Sequence, residues 1–320
     1  MRALNILILG GTGFVGRRLA ARLSRDTHRV TVLSRDRERH KELRVLPGVD
    51  VANCDVYDAA ELSERFRGHH VVINLVGILN ERGFGGAGFR RAHIELTRRA
   101  LQAAKSAGVA RFLQMSSLRA DPAAPSYYLR SKGEAERLIQ AECGPLDWTI
   151  FKPSVMFGPG DSFLNRFAAL LAAMPLVLPL AKPDALFQPV HVDDVVEAIV
   201  RCLHGGACSR QSYELGGPST YRLRQIVEFV ASVTQRRRLI VGLPDFIAYL
   251  QGIVMNFVPG RPFSSDNYRS LTVDSVYTHD GFAQLGIRPG AMEGVARQYL
   301  GAFEDNSRLR RDRSLASRRQ

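Results

Sequence analysis

The stretch Asn5-Ile-Leu-Ile-Leu-Gly-Gly-Thr-Gly-Phe-Val-Gly16, followed by Arg17-Arg-Leu-Ala-Ala-Arg-Leu23, decides the fold. An apolar run breaks into glycines and resumes with helical periodicity, which reads as strand, tight turn and helix. Gly10, Gly13 and Gly16 let the backbone turn sharply, approach a pyrophosphate without Cβ clashes and pack the helix on the strand. The first helical amides then face an anion with free N–H groups and the positive end of the helix dipole. A glycine pattern alone arises by chance in many loops as a structural turn. Its place between a strand and a helix makes Gly10, Thr12, Gly13, Phe14, Val15 and Gly16 a dinucleotide site.

Downstream, His28-Arg-Val-Thr-Val-Leu-Ser34, Val71-Val-Ile-Asn-Leu-Val76, Arg111-Phe-Leu-Gln-Met-Ser116 and Trp148-Thr-Ile-Phe-Lys152 read as further strands. They are short and mostly apolar, as strands buried on both faces of a parallel sheet are. Helical stretches alternate with them, over 59–67, over 91–107 with Gly108 as a stop, and over 129–142. The alternation predicts an α/β fold with a doubly wound parallel sheet of Rossmann type.

Beyond about residue 155 the rhythm loosens. A helix is expected over 163–173, a strand over 187–192 entering a helix capped by Asp193, and then Tyr213-Glu-Leu215, a helix over 223–233 and Arg238-Leu-Ile-Val241. These compose a smaller C-terminal α/β lobe expected to cover the carboxyl ends of the strands, where ligands bind in open α/β sheets. The expected organisation is a dinucleotide-binding domain at 1–155, a substrate or interaction lobe at 156–305, some of which rejoins the first domain, and a basic disordered tail at 306–320. Phe246 to Val258 is the most apolar segment and too short to span a bilayer. It reads either as a core helix or as an exposed helix docking on a membrane surface or partner protein.

The 320 residues carry 45% hydrophobic and 23% charged side chains, the balance of a soluble globular protein. The four cysteines have neither C-x-x-C spacing nor histidine ligands beside them, so neither a metal site nor a disulfide framework is expected. The formal charge of +13 suggests anionic partners, and much of it is local: from Arg308 to the end, six arginines stand against one aspartate. That tail is either a solvated segment or a contact for acidic lipid headgroups or a protein. Nucleic acid is not the expected partner, because no aromatic platform or recognition motif accompanies the charge. A first strand so close to Met1 leaves no room for a signal or transit peptide, so a cytoplasmic location is expected.

Two constellations carry chemistry. The acidic residue that binds ribose hydroxyls in NAD enzymes is replaced at the end of the second strand by Leu33-Ser34-Arg35, with Arg37 and Arg39 close by. Arg35 suits a 2′-phosphate, which favours NADP(H) over NAD(H), although Asp36 is an alternative partner for the hydroxyls. In Tyr128-Leu-Arg-Ser-Lys132, a spacing of four puts phenol and ammonium on one helix face, where the ammonium is expected to lower the tyrosine pKa towards acid–base use. Alone, this spacing is more often a solvated face. His191 reads as a packed histidine rather than a catalytic base.

These residues resemble the extended short-chain dehydrogenase/reductase superfamily. Gly10, Gly13 and Gly16, then Asp55-Val56, Asn74-Leu-Val-Gly77, Ser117, Tyr128 with Lys132, and Lys152-Pro-Ser154 match its landmarks in order. The resemblance implies that Asp55 and Val56 meet the adenine, that Asn74, Val76 and Gly77 line the cofactor, and that Pro153 lies near the nicotinamide carboxamide. It also implies that Lys132 holds the nicotinamide ribose, and that Ser117, Tyr128 and Lys132 are catalytic if the protein is an enzyme. Within its atypical branch, Ser126-Tyr-Tyr-Leu-Arg-Ser-Lys132, Lys152-Pro-Ser-Val-Met-Phe-Gly158, Phe163-Leu-Asn-Arg-Phe167 and Gln188-Pro-Val-His-Val192 resemble the nucleotide-binding accessory subunits of respiratory complex I, the alpha-subcomplex subunit nine type. That resemblance runs from the glycine loop to about residue 300. It implies a bacterial relative that binds NADPH, has complex I subunits as partners, and lies peripherally on the inner face of the inner membrane. The 246–258 helix and the basic tail would meet an acidic membrane surface. Because serine, tyrosine and lysine stand together, an NADP-dependent reductase, dehydrogenase or nucleotide-sugar epimerase with a small-molecule substrate is the alternative.

Overall fold

The computed structural model describes residues 3–81, 83–258 and 263–300. Its large sheet takes the strands β1 (Asn5–Leu9), β2 (Arg29–Ser34), β3 (Val49–Asn53), β4 (Val71–Asn74), β5 (Arg111–Met115), β6 (Asp147–Pro153) and β7 (Gln211–Leu215). They lie in the order β7-β6-β5-β4-β1-β2-β3, every neighbouring pair parallel. Ile6 of β1 is in register with Val30 on one side and Val71 on the other. The strand order reverses between β1 and β4, the switch point at which such sheets bind ligands outside their carboxyl ends. Ile6 to Leu9 are fully buried, as both faces of a parallel sheet must be when helices cover them.

The covering helices are α1 (Phe14–Leu23), α2 (Ala59–Phe66), α3 (Leu96–Ser106) and α4 (Tyr127–Glu142). Leu19 and Leu23 of α1 are fully buried, whereas Leu62 and Phe66 of α2 join Leu101 and Ala104 of α3 under β1, β3 and β4. The helix expected over 91–107 begins instead with a π turn at Arg90–Glu95 and runs as α3 only from Leu96. Gly108 follows it with φ +68°, a conformation that favours glycine and ends the helix.

The chain divides into two compact units. The first contains the residues up to Ser154, Val192–Gly216 and Tyr277–Arg288; the second contains Val155–His191, Gly217–Val276 and the described residues from Pro289 on. Tyr213-Glu-Leu215, expected in the smaller lobe, therefore belongs to the large sheet: β7 pairs with β6, Tyr213 opposite Phe151. The return is made by α6 (Val192–Arg201), counted after α5 (Leu164–Ala173). Because α6 starts at Val192, Asp193 lies in its first turn rather than at the cap.

In the second unit, α5, α7 (Leu223–Val233) and α9 (Met292–Leu300) bury Leu164, Leu171, Ile226, Val230, Met292 and Leu300 in one core; α8 (Asp245–Met255) precedes α9 in the chain. A two-stranded parallel ribbon, Val177–Leu180 with Leu239–Gly242, turns Leu178, Leu180 and Ile240 into that core. His191 packs its ring against Phe157 at 5.3 Å between centroids. The 246–258 segment does not form a core helix: Phe246, Ile247, Leu250, Val254 and Phe257 are exposed. No helix among the described residues is long and apolar enough to cross a membrane. The basic tail lies outside the described residues.

Candidate functional site

Apart from Tyr128 and Lys132, which lie on α4, the residues singled out by sequence sit at or just beyond the carboxyl ends of successive strands. The glycine loop follows Leu9 at the end of β1, Arg35 follows β2, Asp55 and Val56 follow β3, and Asn74 closes β4. Ser117 comes two residues after β5, and Pro153 is the last residue of β6. A common edge arises because each parallel strand enters the sheet in the same direction.

Between β1 and the first turn of α1, positions 10 and 16 have space only for glycine. Gly10 adopts φ +73°, and a methyl added there would fall 3.0 Å from the carbonyl carbon of Leu75 and the amide nitrogen of Val76. A methyl on Gly16 would fall 2.4 Å from the Cα of Gly11. The Gly13 amide donates to the Gly10 carbonyl at 3.0 Å, and extended Gly13 precedes α1 without any side-chain cap. Thr12 lies within this turn, and the first-turn amides of Phe14, Val15 and Gly16 have no intrahelical acceptor. A close-packed glycine turn opening onto uncapped helical amides suits a pyrophosphate.

Arg35 is exposed and, among the described residues, pairs with no carboxylate. Its neighbours are engaged: Arg37 pairs with Glu38 at 3.2 Å and Arg39 with Asp36 at 2.9 Å, while the Asp36 carboxylate also accepts the Glu38 amide at 3.2 Å. Asp55 is exposed and accepts the Tyr57 amide at 3.0 Å, and Val56 packs against the core beneath.

Asn74 is buried and fixes the turn after β4. Its side-chain oxygen accepts the Val76 amide at 3.2 Å, while its side-chain nitrogen donates to Gln114 at 2.9 Å and Thr97 at 3.3 Å. Gly77 meets Lys132: a methyl on Gly77 would lie 3.2 Å from the lysine Nζ. That Nζ donates to the Met115 carbonyl at 3.1 Å. The Leu118 amide donates to the Pro153 carbonyl at 2.9 Å, tying the serine segment to the end of β6.

Tyr128 and Lys132 lie one turn apart on α4, whose N-terminus is capped by buried Ser126, its hydroxyl accepting the Leu129 amide at 3.2 Å. The expected lowering of the tyrosine pKa is not what this packing produces. Burial raises the Tyr128 phenol above its ordinary value, and a hydrogen bond with Ser117 opposes that rise. Burial also pushes Lys132 down to about 8, against the attraction of Glu136. Lysine and tyrosine are thus perturbed by desolvation first, and the serine rather than the ammonium favours phenolate.

Two further site residues were not singled out by sequence. His93, in the π turn, is buried: its Nε2 accepts the Ile78 amide at 3.1 Å, and its Nδ1 is 2.8 Å from the Ser131 hydroxyl, which donates to the Tyr128 carbonyl at 2.8 Å. An acceptor Nε2 leaves the proton on Nδ1. Burial and the Lys132 charge hold this imidazole down at about 2, so it is neutral. Its ring meets that of Tyr128 edge-on at 5.7 Å. Glu136, four residues beyond Lys132, pairs with Lys152 at 3.3 Å and accepts the Ser116 hydroxyl in a short hydrogen bond. The i, i+4, i+8 spacing of Tyr128, Lys132 and Glu136 was the available signal for that glutamate.

A family described as NAD(P)H-binding matches residues 10–161. The mitochondrial NADH dehydrogenase (ubiquinone) 1 alpha subcomplex subunit 9 of Rattus norvegicus is 30% identical over 296 residues, covering 89% of this chain and 77% of that protein. A ceramide reductase of Caulobacter vibrioides is 30% identical over 240 residues, 75% of this chain and 74% of that protein. Among solved structures, a UDP-glucose 4-epimerase from Thermotoga maritima superposes with a TM-score of 0.73 at 17% identity, over 95% of this chain and 99% of that one, a likeness of fold.

Proposed function

The chain belongs to the NAD(P)H-binding family of extended short-chain dehydrogenase/reductase fold that includes the alpha subcomplex subunit 9 of complex I, and from that membership we propose that it is an NADP(H)-binding accessory or assembly subunit of a bacterial complex I. The observation that carries this reading is the extent of the likeness: 296 residues aligned with subunit 9 reach well beyond the nucleotide-binding half. Its place would then be peripheral, on the cytoplasmic face of the inner membrane beside complex I subunits. The preference for NADP(H) rests on Arg35, exposed and unpaired with any carboxylate among the described residues, beside an Asp36 already engaged by Arg39 and the Glu38 amide. The glycine loop would hold the pyrophosphate, Asp55 and Val56 the adenine, Asn74, Val76, Gly77 and Pro153 the flanks of the cofactor, and Lys132 the ribose. A ligand held only by the native state stabilises that state.

A second reading, an active NADP-dependent reductase, is favoured by one observation: Ser117 hydrogen-bonds to Tyr128 while Lys132 stands one turn away on the same helix. A nicotinamide bound beside Lys132 and Pro153 would supply or accept a hydride. In this reading the Tyr128 phenol gives or takes the proton, Ser117 steadies the oxygen of a small-molecule substrate, and Lys132, at about 8, sets the local charge. The likeness to a ceramide reductase suits a lipid carbonyl as the substrate class.

Purification from native membranes in mild detergent tests the first reading, which expects complex I subunits and bound NADPH to accompany the protein. Clean separation, with normal complex I in a deletion strain, removes it. Tyr128→Phe tests the second: turnover lost with NADPH affinity retained establishes proton transfer at the phenol, and unchanged turnover rejects it.

A further inference from the structure

We propose that α8 and the residues just after it lay their outward face on an anionic lipid surface. The helix is built in reverse of an ordinary surface helix, which turns its large apolar residues inward. Here the inward positions are Ala248, Gly252 and Asn256, small or polar residues at i, i+4 and i+8. A methyl on Gly252 would fall 3.0 Å from the Ser265 amide nitrogen, and the Asn256 side chain donates to the Ser265 hydroxyl at 3.2 Å, so this thin face seats the helix tightly. The outward positions are Phe246, Ile247, Tyr249, Leu250, Ile253, Val254, Phe257 and Val258, with Phe246 77% and Phe257 74% exposed. At 3.6 residues per turn these cover roughly half the helix cylinder. The second unit's own packing covers little of this face, and an exposed apolar face of this kind marks an interaction site.

Charge decides the occupant. The only acid in α8, Asp245, is neutralised by Lys182 at 2.7 Å. Arg236-Arg237-Arg238 lead into the strand Leu239–Gly242, whose Leu239 and Val241 are exposed together with Val177, the register partner of Leu239. Among the described residues Arg236 and Arg237 pair with no carboxylate. These unneutralised arginines lead directly into the exposed Leu239 and Val241 of the strand that precedes α8 in the chain, and exposed apolar residues accompanied by such arginines match acyl chains accompanied by phosphate headgroups. A second copy in a self-complementary contact would bring the same arginines together. A protein partner would find few hydrogen-bonding groups on a face whose polar atom is the Tyr249 hydroxyl, although protein interfaces carry about one hydrogen bond per 100–200 Å². The helix lies on the surface without crossing it, since it is too short to span.

This surface gives the peripheral location proposed above a physical contact, and it stands or falls without nucleotide or complex I. The test floats the full-length protein with protein-free vesicles of phosphatidylcholine, with and without phosphatidylglycerol. The intact protein is expected to float with phosphatidylglycerol vesicles. Phe246→Asp with Phe257→Asp is expected to weaken binding about tenfold or more, and Arg237→Gln about fivefold. An unchanged melting temperature and circular dichroism spectrum in the aspartate variant show that the fold is kept. The indole fluorescence introduced by Phe257→Trp is expected to be quenched by brominated acyl chains. The proposal is overturned if the intact protein stays soluble, if the aspartate variant floats equally well, if that added indole is unquenched, or if the same aspartates merely dissolve a dimer.

Discussion

The Lys132 Nζ lies 3.1 Å from the Met115 carbonyl oxygen, a contact that anchors a buried ammonium at the end of β5. Its pKa of about 8 stands below the ordinary 10.5 because burial penalises the charge. Below pH 8 both folded and unfolded chains carry the proton, and folding bears the full desolvation cost. Between about pH 8 and 10.5 the unfolded chain holds more protons than the folded one, so this lysine's contribution to stability rises with pH. Urea denaturation across that window is expected to show wild type gaining on Lys132→Met by a few kcal/mol at most. A constant difference between the two proteins would show that the lysine is not desolvated as described.

Cofactor choice turns on a single guanidinium. Arg35→Ala is expected to weaken NADPH binding about tenfold or more, the worth of charge-assisted hydrogen bonds to a phosphate, and to leave NADH binding unchanged. Calorimetric titration with both nucleotides measures this. Equal affinities in wild type, unaltered by the substitution, would remove the NADP(H) assignment.

The glycine loop predicts a steric penalty. A methyl on Gly16 meets the Cα of Gly11 at 2.4 Å, and that backbone cannot rotate away as a side chain can. Gly16→Ala is expected to cost about 1–3 kcal/mol of stability, as overpacking does, and to weaken either nucleotide by displacing the turn. Thermal melts with and without NADPH report both effects, and a variant with wild-type melting and affinity would show that the approach is not as close as described.

The strands were legible because parallel strands buried on both faces are written as short apolar runs, as in Ile6 to Leu9 and Val71 to Ile73. β7 was misplaced because Gln211-Ser-Tyr-Glu-Leu215 is an edge strand whose outer positions are polar, and because its partner β6 ends almost sixty residues earlier. The glycine landmark at Gly10 and the pair Tyr128 and Lys132 on α4 could be read from local spacing, whereas Asn74 at the end of β4 was reached through the family resemblance. The orientation of α8 could not be read at all, since a thirteen-residue stretch with only Gln251 and Asn256 as amides fits a core helix and an exposed one equally, and only the tertiary seating of Gly252 on Ser264 and Ser265 distinguishes them. Nor was the rise in the Tyr128 pKa legible, because it comes from what surrounds the phenol rather than from the lysine four residues away.

His93 illustrates the same limit and gives a last prediction. It reaches Ser131 across 38 residues of sequence and depends on the π turn at Arg90–Glu95, which no residue pattern announces. Held at about 2 by burial and by Lys132, it stays neutral in the folded chain while the unfolded chain titrates near 6.5. Its contribution is present in full above pH 6.5 and falls as the pH drops from there towards 2, because the unfolded state then binds the extra proton. The slope due to this group is about 1.4 kcal/mol per pH unit. His93→Gln keeps an acceptor for the Ile78 amide but cannot titrate. It is expected to be less stable than wild type at about pH 7, for want of the imidazole packing against Tyr128, yet to lose stability more slowly on acidification. Urea denaturation between about pH 7 and pH 4 measures both slopes, and parallel slopes would show that His93 is protonated within the fold.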